Sequence, residues 1–245
     1  MPLLGQAAML LSFDIAAESI AEHDDWHTHE HLPERLSIPG FIRGTRWVSL
    51  RGQPRYFVMY EVAQLTTLTS EAYLQRLNNP TPWTSKIMTR YQGMSRGFCS
   101  VSASFGFGLG HVGLLIRFKP PTAREARMRT WLVAEVLPHL PSKIGIGSAH
   151  LLEGSLTPQM TEEQRIRGTD ADVDWAILTT GYSQDALAEL SSVELGALRL
   201  AELGAASVNE ATYRLDYSLS HDELEAHPWA LNTTTDFRDH GIRAG

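Results

Sequence analysis

The chain has 245 residues, 43% of them apolar and 20% charged, with a formal net charge of −7. That composition can bury a full core, or two adjacent small ones. An acidic chain without a basic run is ill suited to nucleic acid or anionic membrane, and one cysteine, Cys99, excludes an internal disulfide framework or a thiolate metal cluster.

Residues 1–16 are apolar but carry no basic segment, and Asp14 interrupts them. They read as a first strand over 6–15 and not as a signal peptide. No stretch of 18 apolar residues exists, so no membrane span is expected and the expected location is the cytoplasm. Ser19 with Glu22 has the capping-box spacing, and a helix follows to about residue 36, loosened at Pro33. Strands are predicted over 41–50 and 56–62, around a turn at 51–54. A short helix starts at Thr69 or Ser70 and stops at Pro80; residues 80–84 read as a loop, 86–91 as one more helical turn, and 93–102 as a strand. This is the β-α-β-β-α-β, ferredoxin-like plan. The glycine-rich segment 105–110 lacks the Lys-Ser/Thr of a phosphate loop and reads as a junction.

The plan then recurs. Strands are predicted over 111–118, 143–152, 173–181 and 211–218, with helices over 121–138, 184–192 and 193–204 and a polar excursion over 153–172. At an offset of 105, Trp26, Glu30, Leu32, Pro33, Ser37 and Gly40 meet Trp131, Glu135, Leu137, Pro138, Ser142 and Gly145. Six identities in 15 positions compare with about one by chance. At an offset of 113, Ser70, Leu74 and Leu77 meet Ser183, Leu187 and Leu190. One ferredoxin-like unit has helices on one side only, so two units cover each other's bare sheet faces. The expected fold is α+β, a tandem duplication closing an intramolecular α/β barrel. Its expected parts are a first repeat over 1–104, a diverged second repeat over 105–220 and a polar tail over 221–245 holding Pro228 and Trp229.

On a wheel of about 100° per residue, Trp26, Leu32, Pro33 and Leu36 share one side of the first helix, which should face the sheet. Asp25 and His29 fall on that side, four residues apart. A buried carboxylate holding an imidazole is a general-base arrangement. In the second repeat the same positions are Thr130 and Ala134, while the apolar positions persist. One active pocket, in the first repeat, is therefore expected. The other side carries His23, His27, Glu30, His31 and Glu34 and reads as a solvated face; its i,i+4 histidines have a spacing that suits zinc or nickel. Rotation of the helix would make His27, Glu30 and His31 an alternative site. Tyr60, from the third strand, and Arg46, from the second, are candidates for polarising a carbonyl. Trp26, Trp83 and Tyr91 are candidates for pocket walls. No HExxH metal motif and no GxSxG elbow occurs.

The segments WHTHEHLPERLSIPGF (26–41) and NNPTPWTSK (78–86) resemble signatures of the dimeric α/β-barrel superfamily, nearest its EthD-like and antibiotic-biosynthesis-monooxygenase-like members, here in tandem fused form. The resemblance implies a pocket between the sheet and helices of one unit. It admits cofactor-free monooxygenases, isomerases, cyclases and haem-using branches. The expectation is a cofactor-independent lyase, isomerase or cyclase moving a proton on a small carbonyl or phenolic compound. A cofactor-free monooxygenase, a haem or zinc enzyme and a non-catalytic binder are the alternatives. The expected partner is a small organic molecule, bound by a monomer or homodimer.

Overall fold

In a computed structural model of the chain, residues 3–155, 161–167 and 170–226 are described. The barrel strands of the first half are β1 (Ala7–Ile15), β2 (Phe41–Arg51), β3 (Tyr56–Val62) and β4 (Tyr91–Gly106). Those of the second half are β5 (Val112–Lys119), β6 (Ile146–Ser155), β8 (Trp175–Gly181) and β9 (Ala206–Ser220), with a two-residue β7 (Ala171–Asp172) between the last three. The helices are α1 (residues 20–36), α2 (Glu71–Asn78), α3 (Pro82–Met88), α4 (residues 125–136), α5 (Glu162–Arg167), α6 (Gln184–Val193), α7 (Ala197–Glu202) and α8 (His221–Ala226). Pro228 and Trp229 of the expected tail lie outside the described residues.

The strand order β1-β3-β2-β9-β5-β8-β6-β4 returns to β1, so eight antiparallel strands close a barrel. Each half contributes a four-strand sheet of the same internal order, and the halves join at β2–β9 and β4–β6. Closure removes every long sheet edge. The duplication extends to detail. Ser70 and Ser183 each cap a helix, accepting from the backbone N–H of Tyr73 and Ala186. Gly40 and Gly145 share a left-handed backbone, φ +90° and +91°, that side chains disfavour.

Strand alternation sorts the residues into layers. One set fills the barrel, including Leu10, Trp47, Phe57, Met59, Leu115, Leu152, Leu178 and Tyr213. The outward set of the first half packs under α1 and α2; that of the second packs under α4 and α6. The barrel also encloses polar groups. Glu61 accepts from Arg43 Nε at 2.6 Å, and His150 lies 2.9 Å from Ser104 Oγ and 3.0 Å from Ser148 Oγ. Burial, with the Arg43 charge, holds the His150 imidazole down at about 3. A depressed folded pKa means that the unfolded chain binds the proton first. The contribution is complete above pH 6.5 and is lost as pH falls toward 3, at about 1.4 kcal/mol per pH unit. Urea unfolding between pH 6 and pH 4 should show His150→Gln flattening the pH slope by about that amount.

Three local expectations are corrected. Pro82, Trp83 and Thr84 are helical where a loop was expected, because Thr81 caps the Thr84 N–H and Pro82 fits the first turn. The excursion over 153–172 contains α5. Ser19 makes no side-chain cap bond.

Candidate functional site

Helix α1 is not a plain α-helix. Residues His27–His31 form a π turn, and the Leu32 N–H bonds the His27 carbonyl five residues back. The equivalent turn recurs at Trp131–Val136. In both halves a proline follows, Pro33 or Pro138, whose missing N–H leaves the α-helical ladder incomplete. The extra residue in the turn sets back everything after it. Leu32 and Leu36 therefore swing round toward the side of His23 and His27, away from that of Asp25.

This rotation corrects the predicted orientation. His29 and Asp25 do pair, Nδ1 to Oδ1 at 2.9 Å, but their side chains are 51% and 61% exposed. His23, His27, Glu30 and His31, expected to face solvent, are all buried, together with Trp26. An exposed i,i+4 pair contributes about 0.3–0.5 kcal/mol, so Asp25→Asn should shift thermal stability by no more than that.

The buried face meets a cavity of about 30 Å³ between the first-half sheet and helices. Met9, Leu11, Phe13 and Val58 form its sheet wall, with Tyr73, Leu77 and Met88 from the helices. Its polar groups are His27, His31, Arg35, Tyr60, Tyr91, Arg96 and Glu163. Neither Trp26 nor Trp83 lines it. Trp26 stacks on His31, ring centroids 4.3 Å apart, and Trp83 packs behind it with Ile87, Met88 and Ile166. Trp26 Nε1 donates to Glu30 and to Thr84, both at 3.2 Å. The same Glu30 oxygen accepts from Thr84 at 3.1 Å and Thr81 at 2.5 Å. Glu30 thus clamps α1 to α3 and spends its charge on structure.

Arg46 also does not line the cavity. It donates to Asp216 at 2.8 Å, to the Asp24 carbonyl at 2.9 Å and to Thr28 at 3.1 Å. Its remaining reach is to His27 Nδ1, at 3.5 Å. Guanidinium can only donate, so His27 accepts at Nδ1 and carries its proton on Nε2. That nitrogen faces the Tyr60 hydroxyl at 3.4 Å. Burial, then the charges of His23, Arg46 and Arg35, holds His27 well below the usual histidine range. Burial likewise holds the Tyr60 phenol well above its usual range. Both are neutral at pH 7. The result is a donor chain, Arg46 to His27 to Tyr60, whose last hydroxyl opens onto the cavity.

In the sequence Asp24, Tyr56, Arg35, Arg96 and Glu163 carry no site signal, and His23 falls on the solvated face. His23 Nδ1 lies 3.0 Å from Asp24 Oδ1, which also accepts from the Tyr56 hydroxyl at 2.7 Å. Burial works against the Asp24 charge, but these bonds and Arg46 hold its carboxyl below the usual range. Arg35 and Glu163 pair across the cavity mouth. The second half has Met128, Leu132 and Leu140 where the first has His23, His27 and Arg35, all buried in apolar core. Strand register sets Thr179 opposite Leu114 as Tyr60 is set opposite Met9.

No protein-family model and no curated protein sequence matches the chain. Solved structures do. An anthrone oxidase-like protein superposes with a TM-score of 0.63 at 9% identity, covering 90% of this chain and 96% of that one. A provisionally assigned monooxygenase from Fusobacterium nucleatum subsp. nucleatum gives 0.58 at 7% identity, over 89% and 95%. Another, from Lactobacillus acidophilus, gives 0.55 at 9% identity, over 88% and 96%. At such identities the likeness is one of fold. The chain shares with these structures a closed antiparallel barrel, built here from two repeats of one ferredoxin-like unit. Among the described residues no helix is long and apolar enough to cross a membrane, and no three His, Cys, Asp or Glu side chains gather as a metal site. A cavity of about 30 Å³ does not fit a haem.

Proposed function

We propose that the first-half cavity binds a small, largely apolar carbonyl or phenolic compound and that the chain moves a proton on it without a cofactor, as an isomerase, lyase or cyclase. The donor chain ending at Tyr60 carries this reading. A hydroxyl backed by a neutral imidazole and a fixed guanidinium stabilises negative charge developing on a ligand oxygen. His31, on the same cavity wall and stacked on Trp26, takes the proton from the carbon next to the carbonyl. The electron pair moves to oxygen as an enolate held by Tyr60, and return of the proton to another carbon completes an isomerisation. The resemblance of residues 26–41 to the EthD-like signature supports the same site. The names of the fold neighbours support a second reading, in which the same carbanion attacks dioxygen and forms a carbon–oxygen bond.

The test is α-deuteration of an aryl ketone in heavy water, followed by proton NMR alongside dioxygen uptake. The wild-type chain is expected to exchange the ketone above the buffer rate. His31→Ala should lose that exchange, and His29→Ala should keep it. Exchange that survives His31→Ala would remove His31 as the base.

A further inference from the structure

We infer that the ligand of this cavity carries a carboxylate, which replaces Glu163 on Arg35 when the α5 segment lifts. The inference rests on the cavity being the ligand site and adds the chemical class of its occupant. Arg35, from the last turns of α1, and Arg96, from β4, both line the cavity, with side chains only 1% and 3% exposed. Neither guanidinium can shed its charge. Each has a carboxylate partner on one excursion of the second half: Glu163 bonds Arg35, and Asp170 lies 3.2 Å from Arg96. Arg35 also holds Glu34, its neighbour on α1, at 3.2 Å. The cations are fixed to the first-half body; Glu163 and Asp170 ride on a cover. Gln164 ties that cover together by donating to Asp170 at 2.9 Å.

Access gives this arrangement its meaning. About 30 Å³ holds one or two waters and no organic ligand. Every wall residue but one comes from β1 through β4 and the helices between them; the exception is Glu163. It sits on a helix of six residues, whereas the other walls belong to the sheet and the core beneath it. A ligand enters by displacing Glu163, and that strips a buried arginine of an anion. A neutral ligand leaves Arg35 with Glu34 alone, one carboxylate fewer in a low-dielectric site, and that loss is penalised. A carboxylate restores the pair like for like, because the planar fork of Arg35 suits a carboxylate. The apolar walls then receive the ring or chain attached to it. Glu163 is thus an internal competitor for the ligand it admits.

Benzoate and benzamide have nearly the same shape and differ in charge. Their binding to the full chain is read by isothermal titration, with amide hydrogen exchange over residues 162–167. The wild type should prefer benzoate by about tenfold, with faster exchange in α5 when it is bound. Glu163→Gln should tighten benzoate by about a further tenfold and leave benzamide within about twofold. The double variant Arg35→Met/Glu163→Gln removes both charges together, so it leaves no lone buried ion, and it should abolish the preference. Equal binding of the two probes in wild type and in Glu163→Gln overturns the inference, as does a benzoate preference that persists in the double variant. A neutral aryl ketone and its carboxylate-bearing analogue together read the proposed reaction independently. Ketone exchange without a benzoate preference sinks this inference alone; a benzoate preference without exchange sinks the reaction and leaves the anion site standing.

Discussion

Glu30→Leu is expected to cost roughly 3–4 kcal/mol of folding stability. One Glu30 oxygen accepts from Trp26, Thr81 and Thr84 in a buried setting. Leucine fills similar space but strands the Thr81 and Thr84 hydroxyls and leaves Trp26 with Thr84 alone; each donor buried without a partner costs about 1–3 kcal/mol, less the gain from added apolar contact. Thr81 also caps α3, so the loss should spread to that helix. The duplication supplies an internal control. Glu135 holds the same place in the second half but is exposed, and Glu135→Leu should change stability by less than about 0.5 kcal/mol. Urea midpoints for the two variants decide the matter: equal losses would mean that Glu30 is not the clamp described.

Tyr60→Phe should lower turnover by about 10²–10³ while leaving the fold nearly unchanged. The ring stays in its apolar surroundings, and the hydroxyl's partner, His27, is 3.4 Å away, so little stability goes with it. What is lost is the donor facing the ligand oxygen, whose effect grows as charge develops there. The loss should therefore fall on kcat more than on KM. With the phenol held above its usual range by burial, wild-type turnover should show no decline from Tyr60 ionisation up to pH 10. A change confined to KM would make Tyr60 a binding group and no more.

Much of this fold was legible in the chain. Apolar runs between turn signals, with clear alternation over 56–62, marked the eight barrel strands, and the identities around Trp26 and Trp131 exposed the duplication and, through it, the barrel. The site was harder to read. A wheel assumes one constant rotation per residue, and a single π turn breaks that assumption where Asp25 and Leu32 needed to be compared. Pro33 was visible; its effect on the rotation of its neighbours was not. The resulting face, with His27, Glu30 and His31, was open only as the alternative. Arg35 and Glu163 were illegible for another reason. They lie 128 residues apart, and a polar excursion without periodicity gives no hint of what it will cover. Arg46 was on the expected strand face, but only coordinates reveal that Asp216, from β9, occupies it.

The seam between β2 and β9 has a consequence for how the chain is made. β2 is complete when residue 51 has been synthesised, yet its second neighbour ends only at Ser220. Throughout that interval the nascent first sheet carries one open flank, a template for pairing with any other extended segment. The opposite flank, on β4, gains its partner much earlier, by residue 155. A ribosome-bound chain therefore passes through a long one-edged stage, and the barrel closes in a single late step that brings distant segments together. Truncations that remove β9 should be far more prone to association than their small loss of length would imply.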